Sequence, residues 1–326
     1  MKNKKTVSVV IPCYNEEKNI ERFPKELIEK LDAFNFDYEI LAVDDGSNKD
    51  DTWRALKKLS EKHNKFKAFK HSRNYGMGAA YQTAFDEAIG DYIVTFSSDL
   101  ETPAEYIKEV VDKLEEGNDL VNTYRTGRWQ ESKKGSLVRR IPSNIANGLI
   151  EKVSGVKVND TGSGVKGFRR FIIDNLRIYG DMHRFLPAYS SLYTTKIVEI
   201  PVDYQERKYG TPAYGSLKRT FSVILDLFSM KFMLSFATKP FSMMPGRLFG
   251  TTGIFTFLLG SLITLYMIFI KFVFGQSIGD RPMFIGGLML LMFGVQLIMT
   301  GLLGELMMRI YFESSGKKPY IVSEKS

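Results

Sequence analysis

Cysteine is nearly absent from this chain, which has a single one, Cys13, among 326 residues. One cysteine cannot form an intrachain disulfide, so the sequence excludes a disulfide-stapled fold and is typical of a reducing compartment. We interpret Cys13 as a small buried residue at the end of a strand rather than as a nucleophile.

Charge is almost missing from two stretches, 248–270 and 282–308. About 20 apolar residues in a helix suffice to cross the roughly 30 Å hydrocarbon core of a bilayer. The two stretches therefore predict two transmembrane helices after a soluble domain. The first apolar stretch, 7–12, is too short for the hydrophobic region of a signal peptide, so we expect no signal peptide.

Lysine and arginine are concentrated on the two outer flanks of these stretches. The basic residues there are Lys218, Arg219, Lys231, Lys239, Arg247, Arg309, Lys317, Lys318 and Lys325. The connecting segment 271–281 has only two, so the positive-inside rule predicts that both termini are cytoplasmic. We thus expect a multi-pass protein of the inner (plasma) membrane. The nearly continuous apolar run 221–236 has basic residues on both flanks, and it predicts that segment 216–247 forms helices that lie in the cytoplasmic interface.

The formal net charge of +8 favours anionic partners. Nucleotide phosphates and the anionic lipid of a bilayer fit this charge and the apolar stretches better than nucleic acid does. Within the second stretch, Gly287, Gly294 and Gly301 fall within about 40° of one another on one helix face. Small residues allow helices to approach closely, within one chain or between chains. We expect a homo-oligomer formed through the transmembrane helices.

Residues 1–215 alternate short β-prone runs with helical patterns. The expected strands are 6–12, 38–43, 66–70, 91–96 and 120–124, and the expected helices are 15–34, 51–62, 73–89 and 103–116. This alternation predicts an α/β fold with a Rossmann-like, mostly parallel sheet. The strand at 91–96 ends in hydroxyls and carboxylates, and such sheets bind ligands at the carboxyl ends of their strands. We therefore expect the functional site there.

Several motifs occur along the chain in order. They occupy 9–17, 43–47, 73–76, 98–100, 142–147, 160–166, 183–187 and 207–211. Together with the two apolar stretches, they resemble the family 2 glycosyltransferases with a GT-A fold, over essentially the whole chain. Within that family they are similar to the polyisoprenyl-phosphate glycosyltransferases, relatives of dolichol-phosphate mannose synthase. The resemblance implies a GT-A domain (1–215), interfacial helices (216–247), a two-helix membrane anchor (248–310) and a cytoplasmic tail (311–326).

The resemblance implies a nucleotide-sugar donor, UDP- or GDP-linked, and residues that bind it. The donor-binding residues would be Pro12, Tyr14, Glu16, Asp44, Asp45, Ser97, Ser98 and Arg125. In such a pocket a carboxylate accepts a hydrogen bond from a base N–H, and an aromatic or proline face packs on the ring. Segment 44–47 could equally be a simple turn before a helix, since Asp, Gly and Ser are common turn residues.

The resemblance also implies Mg²⁺ or Mn²⁺ bound at Asp99, where the ion would bridge the diphosphate oxygens of the donor. The sequence departs from the family here. The usual Asp-x-Asp-Leu-Gln is replaced by segment 97–101, with Ser97 in place of the first aspartate and Glu101 in place of the glutamine. Either Glu101 reaches the ion in place of the missing carboxylate, or the metal affinity is reduced.

Asp160 lies where the family has its proposed base, and the resemblance makes it catalytic together with Asp99. A lipid monophosphate has a second pKa near about 6 and is largely dianionic at neutral pH. We therefore expect Asp160 to position the acceptor or the ion more than to remove a proton. The basic residues expected to bind the acceptor or phosphates are Lys166, Arg169, Arg184 and Arg207. His183 is interpreted as structural.

The implied activity is inverting transfer of a sugar from a nucleotide-sugar to a polyprenyl (undecaprenyl or dolichyl) phosphate at the cytoplasmic membrane face. The product would be a polyprenyl-phosphate sugar for cell-envelope glycan or glycoconjugate modification. Ser97 keeps a second class open, a non-catalytic membrane-bound nucleotide-sugar sensor or scaffold. A third class, a small transporter, would need more than two spans or an oligomeric pore.

Overall fold

The computed structural model describes residues 5–126, 159–160, 162–178, 180–209, 230 and 245–315. The chain divides into two compact units, Met1–Lys231 and Phe232–Ser326. The motif at 142–147, nearly all of the expected interfacial segment 216–247, and the end of the tail lie outside the described residues.

The described strands form one seven-stranded sheet in the first unit. They are β1 (Thr6–Cys13), β2 (Asp37–Asp44), β3 (Phe66–Lys70), β4 (Tyr92–Thr95), β5 (Leu120–Thr126), β6 (Lys166–Arg169) and β7 (Ile197–Asp203). Their order across the sheet is β3-β2-β1-β4-β6-β5-β7. All neighbours pair in parallel except β6, which is antiparallel to both β4 and β5. The expected mostly parallel α/β sheet is confirmed.

The helices follow the strands in the expected alternation. They are α1 (Glu17–Ile20), α2 (Glu29–Asp32), α3 (Thr52–Lys62), α4 (Met77–Glu87), α5 (Tyr106–Glu115), α6 (Arg170–Asn175), α7 (Leu186–Ser190), α8 (Pro245–Phe274) and α9 (Pro282–Ser315). A π-helical turn, Pro24–Ile28, lies between α1 and α2, and a 3-10 turn, Gly180–Phe185, precedes α7.

Hydrophobic periodicity explains how the helices cover the sheet. In α5 the buried residues are Ile107, Val110, Val111 and Leu114, which is the spacing of one helical face. In β2, by contrast, every residue after Asp37 is buried. Burial of consecutive strand residues is typical of a parallel sheet with helices on both faces. Because β1 to β4 are parallel, their carboxyl ends lie at the same edge of the sheet. The helices cover the faces of the sheet and not this edge.

The expected single helix at 15–34 is wrong. Asn15 has a left-handed φ of 56° and does not cap a helix. Its side-chain oxygen instead accepts hydrogen bonds from the backbone N–H groups of Asn48 (3.1 Å) and Lys49 (3.0 Å). Further along, Pro24 has no N–H to donate, and the helical segment is divided near it.

The second unit contains two helices that are long and apolar enough to cross a membrane, over Gly246–Phe274 and Pro282–Met307. They pack through glycines. A Cβ placed on Gly253 would lie 2.8 Å from the carbonyl oxygen of Gly294, and one on Gly260 would lie 2.8 Å from that of Gly287. Gly287 and Gly294 of α9 thus serve helix packing within the chain.

Candidate active site

The turn that follows β4 carries the acidic residues of the site. Phe96 N donates to Val10 O (2.9 Å), and Leu100 N donates to Ser97 O (3.3 Å). Leu100 has a φ of 56°, which is uncommon for a bulky residue and recurs at functional sites. Ser98 and Asp99 are buried. The sheet edge thus holds this turn in one fixed conformation.

Two carboxylates of the turn share one arginine. Arg207, in the segment after β7, donates from Nη2 to Asp99 Oδ2 and lies 3.4 Å from Glu101 Oε1. Arg125, at the end of β5, donates to Glu101 Oε2 (3.1 Å) and through Nε to Asp160 Oδ2 (2.8 Å). Charges alternate along the series Asp99, Arg207, Glu101, Arg125 and Asp160, which we name the carboxylate–arginine chain. The carboxylate–arginine chain connects residues that the sequence predicts to bind the donor, the metal and the acceptor or phosphates.

Because the carboxylate–arginine chain is largely buried, each of its ion pairs depends on the others. The Arg125 side chain is 4% exposed, and an unpaired charge in such a position is strongly unfavourable. Burial alone would lower the pKa of Arg207, but Asp99, Glu101 and Glu16 raise it above its usual value. Burial raises the pKa of Glu16, and the nearby Asp99 adds to this effect, while a hydrogen bond from Asn19 opposes it.

Asp44 and Asp45, both expected at the donor, have different environments. Asp45 Oδ1 accepts hydrogen bonds from His71 Nδ1 (2.8 Å) and Tyr75 N (2.9 Å), and its Oδ2 accepts from Gly76 N (2.8 Å). Asp44 Oδ1 accepts from the backbone N–H of the nearby turn, while Oδ2 is buried with no hydrogen-bond partner among the described residues. Asp45 therefore fastens the loop after β3, and Asp44 retains an acceptor for a ligand.

The end of β1 contributes the flat surfaces expected beside a base. Pro12 pairs in register with Val43, and Tyr14 follows directly after the strand. The Tyr14 side chain is partly exposed and its hydroxyl donates to Asn48 Oδ1 at 3.4 Å. Both residues lie at the same sheet edge as Asp44.

Lys166 lies beneath the Asp160 loop. It is buried on β6, opposite Thr95 and Asn122, and its ammonium donates to Ser163 O. Burial lowers its pKa to about 8, although Asp160 acts in the opposite direction. In this position Lys166 supports the Asp160 loop, and its expected phosphate contact stays a prediction.

Arg169 lies apart from the other residues of the expected site. β6 runs antiparallel to β4, and Arg169 pairs with Tyr92 at the amino end of that strand. Its guanidinium donates to Asn118 O (3.1 Å) and Leu114 O (3.0 Å). The direction of β6 thus separates Arg169 from Lys166.

Arg184 lies in the 3-10 turn, where it pairs with Asp181 at 3.2 Å. Beside it, burial lowers the pKa of His183 to about 4, so the imidazole is neutral at physiological pH. The His183 ring lies 6.4 Å from that of Tyr81, a buried residue of α4. This environment agrees with the structural interpretation of His183.

Sequence reasoning missed His71, which holds Asp45 and also hydrogen-bonds Thr83 at 2.9 Å. A signal was available, since His71 directly follows β3 and parallel strands end at one edge. Gly164 was missed as well. A Cβ there would lie 2.7 Å from Ser97 Cβ, so this glycine lets the Asp160 loop approach the turn after β4.

The turn after β4 fits a divalent cation that is shared with a phosphorylated ligand. No group of three or more His, Cys, Asp or Glu that could hold a metal occurs among the described residues. Asp99 and Glu101 nevertheless both contact the Arg207 guanidinium, so they face one position of positive charge. Mg²⁺ commonly takes one or two carboxylates plus substrate phosphate oxygens.

Solved structures share this fold, which is GT-A. Glucosyl-3-phosphoglycerate synthase from Mycobacterium tuberculosis, in complex with Mn²⁺, UDP and phosphoglyceric acid, matches with a TM-score of 0.53 at 20% identity, covering 70% of this chain and 78% of that one. Mannosyl-3-phosphoglycerate synthase from Rubrobacter xylanophilus matches with a TM-score of 0.52 at 16% identity, covering 68% and 72%. The likeness defines the class of the fold, and both of these proteins are sugar-transferring synthases by name.

The sequence then identifies the family. The profile of glycosyl transferase family 2 matches residues 8–177, and the chain belongs to that family. The dodecaprenyl-phosphate galacturonate synthase of Rhizobium johnstonii is 35% identical over 98% of this chain and 92% of that protein. The undecaprenyl-phosphate 4-deoxy-4-formamido-L-arabinose transferase of Klebsiella pneumoniae is 32% identical over 98% and 93%. The chain is a glycosyltransferase.

Proposed function

We propose that the chain transfers a sugar, with inversion, from a UDP- or GDP-linked donor to a polyprenyl phosphate at the cytoplasmic membrane face. The observation that carries this proposal is the carboxylate–arginine chain, which links the turn after β4 to the Asp160 loop. The relatives support the acceptor, because both are named for a polyprenyl phosphate and the match extends over nearly the whole chain.

On the donor side, Asp44 Oδ2 would accept a hydrogen bond from a base N–H, and Pro12 and Tyr14 would pack on the ring. Asp99 and Glu101 would hold Mg²⁺ or Mn²⁺. That ion, when bound, neutralises the charge that develops on the departing nucleoside diphosphate. Arg125 keeps Glu101 oriented through their 3.1 Å hydrogen bond.

On the acceptor side, the lipid phosphate oxygen attacks the anomeric carbon from the face opposite the diphosphate. A new carbon–oxygen bond forms as the bond to the diphosphate breaks. No proton has to be removed, because the phosphate is already dianionic near neutral pH. Asp160 would therefore orient the acceptor. Arg184 would bind oxygens of the acceptor phosphate and Arg207 those of the donor diphosphate, each through its planar guanidinium group.

The test uses inside-out and right-side-out membrane vesicles, supplied with polyprenyl phosphate and a panel of radiolabelled nucleotide sugars. Nucleotide sugars are charged and stay on the side to which they are added. We expect labelled lipid from at least one donor in inside-out vesicles only. Labelled lipid from intact right-side-out vesicles would contradict the cytoplasmic orientation.

A non-catalytic sensor is the second candidate, favoured by Ser97 in place of a metal-site aspartate. It predicts that donor binds to the purified protein with no transfer to lipid from any donor of the panel. The same vesicle assay, combined with calorimetric measurement of donor binding, separates the two functions.

The two aspartates after β2 should respond differently to the same change. Asp44→Asn turns a base-facing acceptor into a donor, so we expect at least about tenfold weaker nucleotide binding and an unchanged melting temperature. Asp45→Asn removes one acceptor from the group that holds His71, Tyr75 and Gly76. It should lower the melting temperature, at a cost of about 1.5–3 kcal/mol.

Calorimetric titration with UDP and GDP and thermal unfolding followed by near-UV circular dichroism check both variants of this pair. A fully stable Asp45→Asn and an Asp44→Asn that binds nucleotide normally would contradict both assignments.

We also propose the layout of the whole protein: a cytoplasmic domain (1–215), interfacial helices (216–247), a membrane anchor (248–310) and a cytoplasmic tail (311–326). Copies would associate through the outer faces of α8 and α9, because Gly287 and Gly294 are already used within the chain. The exposed polar Gln296 in the middle of α9 supports such contacts. Light scattering of the detergent-solubilised protein measures the assembly, and a monomer would exclude it.

A further inference from the structure

Arg207 already occupies the position of positive charge that a metal would take. Asp99 Oδ2 accepts from its guanidinium, and Asp99 Oδ1 accepts from the backbone N–H of Glu101 at 3.1 Å. The Glu101 carboxylate lies between Arg207 (3.4 Å) and Arg125 (3.1 Å). A divalent cation that binds Asp99 and Glu101 together has to displace the Arg207 guanidinium first.

The segment that carries Arg207 follows β7 and contacts the turn after β4. Gln205 N donates to Glu101 O at 2.8 Å, and the Lys208 ammonium lies 3.3 Å from Glu26 on an exposed surface. The Arg207 side chain is 22% exposed, so it has a path to solvent. The ion pairs with Asp99 and Glu101 join the Arg207 side chain to the turn after β4.

We infer that Arg207 is a built-in competitor of the metal, released when a nucleoside diphosphate binds. This inference rests on the proposed function and adds to it an order of events. A guanidinium matches phosphate oxygens as well as it matches carboxylates. The donor diphosphate draws Arg207 away from Asp99 and Glu101, and the two carboxylates, together with the nearby Glu16, then attract a divalent cation.

The consequence is that metal and nucleotide bind cooperatively, although Arg207 is not a metal ligand. Each ligand favours the state in which Arg207 has left the carboxylates, so each increases the affinity for the other by the same factor. Without nucleotide, the protein holds its acidic turn neutralised and binds metal weakly.

The first experiment measures Mn²⁺ binding to the purified full-length protein without nucleotide, from the electron paramagnetic resonance signal of free Mn²⁺. We expect Arg207→Gln to bind Mn²⁺ roughly tenfold more tightly than the wild type, within the usual range of such couplings. Lys208→Gln is the matched control, because it removes the same charge from the next position. It should change the affinity less than about twofold.

The second experiment repeats these titrations with UDP or GDP, after subtraction of the metal–nucleotide complex measured without protein. Nucleotide should tighten Mn²⁺ binding of the wild type and of Lys208→Gln roughly tenfold more than that of Arg207→Gln, in which only the direct attraction between metal and diphosphate remains. Equal Mn²⁺ affinities of the wild type and Arg207→Gln without nucleotide would overturn the inference. If the wild type binds neither UDP nor GDP, the proposed donor is contradicted. The comparison of Mn²⁺ affinity between the wild type and Arg207→Gln without nucleotide still tests the inference.

Hydrogen exchange of the unmodified wild type keeps the inference testable if Arg207→Gln does not fold. The Gln205 amide is protected by its bond to Glu101 O. Mn²⁺ and UDP or GDP together should accelerate its exchange severalfold, whereas Mn²⁺ alone should not. Unchanged exchange on binding of both ligands contradicts release of the segment.

Discussion

Replacing Asp99 with asparagine abolishes sugar transfer, with an expected loss of about 10³-fold or more. The carboxylate is buried in the turn after β4 and contacts the cationic position that the proposed metal would occupy. Asparagine has nearly the same shape and still accepts from Glu101 N, so the fold should persist. Steady-state transfer assays with Mg²⁺ and Mn²⁺ measure the loss. The matched control is Asp112→Asn, which changes an exposed aspartate of α5 paired with Lys108 and should retain full activity.

Two neighbouring changes test how the turn holds its metal. Glu101→Gln should raise the metal concentration needed for half-maximal rate, because a neutral amide attracts a divalent cation less than a carboxylate does. Ser97→Asp should lower it by adding a charged oxygen to the same turn. If Glu101→Gln is active and needs the same metal concentration for half-maximal rate as the wild type, Glu101 does not compensate for the carboxylate missing at Ser97. Full activity of Asp99→Asn would contradict the proposed metal site at the turn after β4.

Gly46→Ala should be among the most destabilising single substitutions in the first unit, at several kcal/mol. Gly46 has a φ of +67°, and a Cβ there would lie 2.6 Å from both Arg73 Cα and Asn74 N. These are backbone atoms that cannot rotate away. Gly117→Ala is the control, since Gly117 has a φ of +107° but no atom within 4 Å of a new Cβ. It should cost about 1 kcal/mol.

Thermal unfolding of the full-length protein measures both glycine variants under identical conditions. The difference between them isolates the steric contribution from the backbone preference. Equal losses in melting temperature would mean that the close approach of the segments after β2 and β3 is not fixed in solution.

The strands and their shared edge were predictable because local signals determine them. β2 contains the apolar run 40–43, and a strand buried on both faces requires such a run whatever its partners are. The same reasoning brought Asp44 and Asp99 to one edge, since parallel strands end on the same side. Pro24 was a local signal too, because a proline indicates a break in the helix that was expected at 15–34.

Which residues interact in the site was not predictable, because this depends on the direction of each strand and on which carboxylate oxygen accepts each hydrogen bond. β6 has four residues, and nothing in so short a run reveals that it is antiparallel to its neighbours; the position of Arg169 was not predictable for that reason. Asp44 and Asp45 are adjacent and chemically identical, and only the bonds to His71, Tyr75 and Gly76 distinguish them. Likewise, no spacing in the sequence pairs Arg207 with Asp99.

In the membrane anchor proposed above, the backbone contacts of Gly253 with Gly294 and of Gly260 with Gly287 would make α8 and α9 move in the bilayer as one unit. Their apolar spans of 29 and 26 residues correspond to about 43 and 39 Å of helix. Both exceed the roughly 30 Å thickness of hydrocarbon in a typical bilayer. Helices joined so closely cannot relieve this hydrophobic mismatch by tilting separately, so they share a single tilt. A thicker bilayer would reduce that tilt, so the proposed anchor would favour the thicker regions of a membrane.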